Sequence, residues 1–418
     1  MADINKVVVL GGGFAGIAAA AGLVKSLGRS RGVEISLVSR HNYFLFIPML
    51  HEAATGAVEP RHVAQPIRRA FRGRGLSFVK GEVKAIDLEG RRVETDHGAL
   101  DFDYLVLSLG SDTNFFGLDA AKPHVFELKD LADARNLHDH ILEMFERAAS
   151  QEDAAARKRY LTFIVAGAGP TGVELVAEIH DFVHHTVLRD YPARSLQDVE
   201  ISLVEMADRV LPGLDQRLSR VALAKLQAKR INLLLGTRIS RITDTGLELN
   251  GEREVGTHTL VWTAGVKASP MLAALPVERD RMGRVVVNQL LQVPGYAGVY
   301  VAGDSASCQD PATQKPFPPT AQVAIREGEH VARNITAAIR GGQPSPFKHV
   351  SWAGLVSLGA NAAIVDFSGF RIYGRLASFM WRVVYLTKLP GRQSKVLVAL
   401  DWLLSLFFER NTAQSEGG

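Results

Sequence analysis

Cysteine is almost absent from this chain of 418 residues: Cys308 stands alone. A single thiol excludes an internal disulfide, a redox CxxC pair and any cysteine-built metal site, and it fits a reducing compartment. A surplus of charge is missing as well. The formal net charge is +4, too small for this length to make nucleic acid a main partner, so attraction to anions must come from where the charges sit. No apolar run reaches the about 20 residues that a membrane-spanning helix needs. No succession of charged, apolar and small residues precedes the strand-like run at Lys6, so no secretory signal is expected and the catalytic part is expected in the cytoplasm. Low-complexity segments are lacking too, and 47% hydrophobic content argues against disorder. A chain of this length leaves room for two or three domains.

What is present is glycine in two equivalent places. KVVVLGGGFAGIAAAAGL, from Lys6 to Leu23, is a valine-rich run, then Gly11, Gly13 and Gly16 at G-x-G-x-x-G spacing, then an alanine-rich helical pattern ending at Gly28. The first glycine permits a tight turn, the second lets backbone approach a pyrophosphate, and the third packs helix on strand. The helix N-terminus, with Phe14 and Ala15 in its first turn, then offers N–H groups to phosphate. RYLTFIVAGAGPTGVELVAEIHDF repeats the design at Gly167, Gly169 and Gly172. A lone motif of this kind is weak, but two in one chain, each between a strand and a helix, predict two dinucleotide sites.

The strand after each motif differs at its end. VEISLVEM ends in Glu205, whose carboxylate can accept hydrogen bonds from both ribose hydroxyls and would repel a 2′-phosphate, favouring NADH over NADPH; the bland alternative is a solvated strand-end acid. VEISLVSR has Ser39 and Arg40 at the equivalent place, and Ser39 can bond a ribose less strongly. Three later strands stop at a glycine where backbone can pass close to a cofactor: one before Gly110, one before Gly265, and one before Gly303 and Asp304. Asp304 can bind a polyol or serve as a plain turn residue. The charged stretch 127–160 predicts a surface helix linking two modules. His180 and His184 share one helix face at i, i+4, a metal-ligand spacing with no third ligand nearby, so no metal site is expected.

In this order the segments resemble the two-dinucleotide flavoprotein oxidoreductases. The resemblance implies an α/β fold of two Rossmann-like domains, the second inserted in the first, with FAD at the first motif, NADH at the second and Asp304 on the flavin ribityl chain. Implied boundaries are 1–113 and 267–345 for FAD, 114–266 for NADH, and 346–418 for a C-terminal helical region. Within that superfamily NYFLFIPMLHEAATG, PPTAQVAIREGEHVARNI and the tail YLTKLPG…DWLLSLFFER are similar to the type II, non-proton-pumping NADH:quinone oxidoreductases. That family implies that Glu174 and Gln322 border the place where nicotinamide and quinone meet the flavin. Ala321 begins a helix, after Pro318-Pro319-Thr320, whose N-terminus would stabilise negative charge on reduced flavin. Arg326 departs from the family, which has glutamine there.

The tail carries the remaining expectation. Between Phe367 and Leu400 there is no Asp or Glu, while Arg371, Arg375, Arg382, Lys388, Arg392 and Lys395 fall inside that window. Two short amphipathic helices, one with Leu376, Phe379, Met380, Val383 and Val384 on one side, the other from Val396 to Phe408 and broken by Asp401, predict in-plane membrane attachment, with Trp381 and Trp402 aiding it. A homodimer through the same region is compatible with this. The expected protein is therefore a peripheral membrane enzyme on the cytoplasmic face of the inner membrane. The competing function is a soluble NADH-dependent reductase of a ferredoxin or rubredoxin, which needs no lipid-seeking tail.

Overall fold

The computed structural model describes residues 4–191, 197–349, 353–367 and 370–414. The expected tail, 346–418, is thus described except at 350–352, 368–369 and 415–418. The chain forms two compact units, one of residues 1–44, 65–112 and 266–351, the other of 45–64, 113–265 and 352–418.

The first unit is built on a parallel sheet ordered Ser77–Lys80, Val33–Ser39, Asn5–Leu10, Tyr104–Leu107, Val299–Val301. Val7, Val8, Val9 and Leu10 are all buried, which is why this strand reads as an unbroken apolar run rather than an alternation. The helix Phe14–Leu27 follows the first glycine motif and buries Ala15, Ala19, Ala20, Leu23 and Leu27. Its partner, the helix Ala321–Ile339, meets it through small residues: a Cβ on Gly22 would meet the Ala332 Cβ at 2.6 Å, and one on Gly328 would collide with the Ala15 carbonyl. Backbones so close require glycine on one side.

The second unit repeats the plan. Its parallel sheet is ordered Asn232–Leu234, Glu200–Val204, Thr162–Ala166, Thr259–Trp262. The helix Pro170–His185 follows the second motif, and from Gly172 to Ile179 every residue is buried. The stretch 127–160 is two helices, Leu131–Ser150 and Ala154–Tyr160, because Asp153 caps the second. The first is not a mere surface linker: Leu137, Ile141, Leu142 and Phe145 are buried.

Residues from 353 onward belong to this second unit. An antiparallel sheet of Ala353–Ser357, Ala363–Phe367 and Phe370–Gly374 leads into helices Arg375–Lys388 and Arg392–Leu404. No helix among the described residues is long and apolar enough to cross a membrane.

Candidate active site

In the first unit the turn after the strand Asn5–Leu10 depends on glycine. Gly11 has φ +107°, and a Cβ there would collide with the Ser108 carbonyl. A Cβ on Gly16 would strike the Gly11 carbonyl, so the motif helix lies directly on the turn. Gly13 faces open space as the helix N-cap, and neither a capping side chain nor an acid occupies the first turn. The N–H groups left there suit a pyrophosphate. Ala15 is buried under this turn, and Phe14 sets its ring edge-on against Phe44 with centroids 5.0 Å apart. Ser39 is buried beside Gly12, whose Cβ would come within 2.5 Å of the Ser39 hydroxyl, while Arg40 is exposed.

Neighbouring strand ends bring Gly110 and Asp304 together. The Ser111 hydroxyl donates to Asp304 Oδ2 at 2.7 Å, and Gly110, at φ +72°, has open space where a Cβ would stand. Ala321 and Gln322 are half-buried at the start of their helix, which Thr320 caps by accepting the Val323 N–H at 3.3 Å. Arg326 is exposed and pairs with Glu329 at 3.1 Å. Open Cβ positions at Gly13 and Gly110, an uncapped helix start and a strand-end acid fit a flavin dinucleotide.

The second unit has an equivalent turn. Gly167, at φ +101°, leaves only 2.5 Å between a Cβ and the Ala264 Cα, and Gly172 packs against the Gly167 carbonyl and Thr263. Gly169 is the uncapped N-cap with open space beside it. Glu205 is oriented toward this turn: Oε2 accepts the Ala168 N–H at 2.6 Å and Oε1 the Ala207 N–H at 2.8 Å. Gly265 accepts the Asn114 N–H through its carbonyl at 3.0 Å, and a side chain there would meet the exposed ring of Phe116 at 2.7 Å.

Glu174 lies one turn into the second motif helix, and its surroundings come from far along the chain. Its Oε1 accepts the Ser357 N–H at 2.9 Å, and His51 Nδ1 stands 3.8 Å from Oε2. The Trp381 indole stands edge-on to the His51 ring at 5.8 Å; it lowers the Glu174 pKa somewhat, although among the described residues its N–H makes no hydrogen bond of ordinary geometry. Burial is the largest influence on Glu174 and pushes it up to about 8; the Ser357 N–H opposes this and the Glu52 charge adds to it. Burial also lowers His51 to about 3, with Arg410 contributing. Glu174 therefore carries a proton at neutral pH beside a neutral imidazole, so the 3.8 Å approach is not an ion pair.

Glu52 accepts the Trp402 N–H at 3.1 Å and is raised to about 7, by burial first and then by Glu178. Glu178, one turn below Glu174, is tied to Arg410 at 2.9 Å. Sequence reasoning missed His51, Glu52, Ser357 and Trp381. An acid and a histidine adjacent in the apolar stretch IPMLHEAATG were the available signal, but their partner is more than a hundred residues away.

The rings of His180 and His184 lie 4.5 Å apart and tilted by 40°, His180 approaches Asp181 at 3.0 Å, and no group of three metal-ligating side chains forms among the described residues. In the tail, Leu376, Phe379 and Val383 are exposed along one helix face, as are Val396, Leu400, Leu403 and Leu404 on the next. The two tryptophans do not stand on the exposed face: Trp381 is 2% and Trp402 8% exposed, whereas Phe370, Tyr373, Phe379, Phe407 and Phe408 are exposed. Trp402 faces inward with its N–H donating to Glu52, the kind of partner a buried indole usually finds. Asp401 also turns inward, accepting from His62 Nδ1 at 2.6 Å and the Glu59 N–H at 3.2 Å. Arg371 and Arg382 serve the fold, Arg371 pairing with Asp215 at 3.2 Å and Arg382 donating to the Ala360 carbonyl at 3.2 Å.

Comparison with known proteins shows the family and the fold. Residues 5–328 match the pyridine nucleotide-disulphide oxidoreductase family and residues 352–411 the NDH2 C-terminal domain. Type II NADH:quinone oxidoreductases of Staphylococcus saprophyticus and Staphylococcus aureus are each 32% identical over 385 residues, covering 91% of this chain and 94% of theirs. The solved structure of NDH2 from Plasmodium falciparum in complex with NADH has the same fold, with TM-score 0.91 at 20% identity over 98% of this chain and 99% of that one. With its two glycine-built nucleotide turns and its matched C-terminal region, the chain belongs to the type II NADH:quinone oxidoreductases, within the pyridine nucleotide-disulphide oxidoreductase family.

Proposed function

We propose that the chain oxidises NADH with a bound FAD and passes two electrons to a membrane quinone, without pumping protons. FAD, when bound, supplies the redox chemistry, taking hydride equivalents from NADH and giving electrons to the quinone. The protein supplies binding, orientation and a proton. The helix starts at Gly13 and Gly169 hold the two pyrophosphates, Ser39 and Glu205 take ribose hydroxyls, and Asp304 holds the ribityl chain. Glu205, already fixed by two backbone N–H groups, presents a set charge that disfavours a 2′-phosphate. The helix start at Ala321 and Gln322 favours negative charge on the flavin ring.

The observation that carries the quinone half is the burial of Glu174 beside His51 and the Ser357 N–H, which pushes its pKa up to about 8. A quinone that takes two electrons must also take two protons, and a neutral carboxyl with a pKa of about 8 is suited to donate one. Cys308 cannot replace it in a thiol chemistry, being single, buried and pushed up to about 12. The exposed stripe from Leu376 to Phe408 supports attachment in the plane of a bilayer, and the scarcity of cysteine supports the cytoplasmic face. A soluble reductase of a small electron-carrier protein has no use for that stripe.

Purified protein mixed with NADH and a short-chain quinone tests the reading. Turnover with NADH exceeding that with NADPH is expected; rapid flavin reduction with no quinone turnover would overturn it.

A further inference from the structure

The helix Ala321–Ile339 carries a buried acid that the proposed reaction does not use. Glu327 is 2% exposed, and its Oε2 accepts the Gly303 N–H at 2.6 Å. Gly303 has φ +70°, and a Cβ there would meet the Ala15 Cβ at 3.0 Å and the Ala324 Cβ at 3.4 Å. The turn that carries Asp304 is thus held between the first motif helix and the helix of Glu327. Because a Cβ on Gly328 would collide with the Ala15 carbonyl, the two helices leave that turn little room to shift.

We propose that Glu327 is a positioning residue for the flavin cofactor: by holding the Gly303 N–H it sets how Asp304 is presented and so how firmly FAD is retained. The inference rests on the reading that Asp304 binds the ribityl chain.

The charges facing Glu327 decide the sign. Asp304 is adjacent, Arg284 stands on the strand side, and the first motif helix brings no ionisable residue before Lys25. Cys308 feels the Glu327 charge and that of Asp310, and is buried. Arg284 is already committed, donating to Asp280 at 2.7 Å and to the Phe317 carbonyl at 3.1 Å. Burial pushes Glu327 up to about 8; the Gly303 N–H opposes this, Asp304 adds to it, and Arg284 opposes it. At neutral pH the acid is therefore protonated, and the turn presents a single negative charge, that of Asp304, toward the cofactor. Above about pH 8 a second negative charge appears behind the turn that carries Asp304.

Release of FAD from the purified holoenzyme, followed by flavin fluorescence from pH 6.5 to 9, reads this directly. The wild-type rate is expected to rise several-fold across pH 8. Glu327→Gln, whose amide oxygen can still accept the Gly303 N–H, should hold FAD with a flat pH profile. Glu327→Ala should release it on the order of tenfold faster at every pH, and the Gln variant, with an unchanged melting temperature at pH 6.5, separates loss of positioning from loss of folding. A Gln variant as pH-dependent as wild type, or an Ala variant as retentive, overturns the inference while fast release from Asp304→Ala leaves the ribityl reading standing. Wild-type retention in Asp304→Ala overturns the ribityl reading and the inference with it.

Discussion

Glu174 illustrates how one residue acquires chemistry from its surroundings. A carboxyl in the first turns of a helix is ordinarily stabilised as its anion by the helix dipole. Here burial outweighs the dipole, and the one backbone donor, Ser357, does not restore an ordinary carboxylate pKa. His51 cannot compensate because burial keeps it neutral. Glu174→Gln keeps the shape and the Ser357 bond but removes the proton. Quinone reduction in that variant is expected to fall on the order of a hundredfold, the lower range for a lost general acid, while flavin reduction by NADH is unchanged. The wild-type pH profile of quinone reduction should decline through about pH 8, and that limb should vanish in the variant. An unaltered pH profile in stopped-flow measurements would remove Glu174 from proton delivery.

At the scale of elements, the tail helices divide their residues by face. Inward, Trp402 bonds Glu52, Asp401 bonds His62, and Trp381 stacks on Tyr385 at 4.2 Å. Outward stand Leu376, Phe379 and Val383, then Val396, Leu400 and Leu404, ending in Phe407, which is 75% exposed. Exposed apolar groups at i, i+3 and i+7 on the first helix and at i, i+4 and i+8 on the second are not holding the fold, so replacing them costs little, within about 0.5 kcal/mol at a typical surface site. Combined Leu376→Glu, Phe379→Glu and Phe407→Glu substitutions should abolish co-sedimentation with anionic lipid vesicles yet leave short-chain quinone turnover within about twofold. Vesicle binding that survives these changes would assign the stripe another role, with a shift from dimer to monomer on gel filtration pointing to self-association.

Across the whole molecule, buried ionisable groups set the response to pH. Glu52, Glu174 and Glu327 have folded pKa values of about 7, 8 and 8, above the ordinary carboxylate value of 4.5. Between 4.5 and its folded pKa each of these carboxyls holds more proton in the folded chain than in the unfolded one, so these groups lower stability as pH rises through that window. His51 and His140, lowered from 6.5 to about 3 and 4, act oppositely and weaken the fold as pH falls below 6.5. From pH 6.5 to 8.5 the carboxyl effect stands without that opposition. The melting temperature is expected to fall over this range, and to fall less in the variant combining Glu52→Gln, Glu174→Gln and Glu327→Gln. Thermal melts that are level in wild type, or equally steep in the triple variant, would contradict this account.

Much of this protein was legible in its residues alone. Parallel strands buried on both faces write themselves as apolar runs, and turns such as those at Gly11 and Gly167 admit only glycine, so both nucleotide modules could be named from local pattern. Amphipathicity likewise announced two tail helices too short to span a bilayer. Tertiary structure alone decided what depends on partners distant in sequence: that Trp381, Trp402 and Asp401 face inward, that His51 and Glu52 join Glu174, and that Glu327 holds the Gly303 turn. A helical pattern shows that a side is apolar, but which side meets protein, and which carboxyl loses its water, is fixed only when the chain packs.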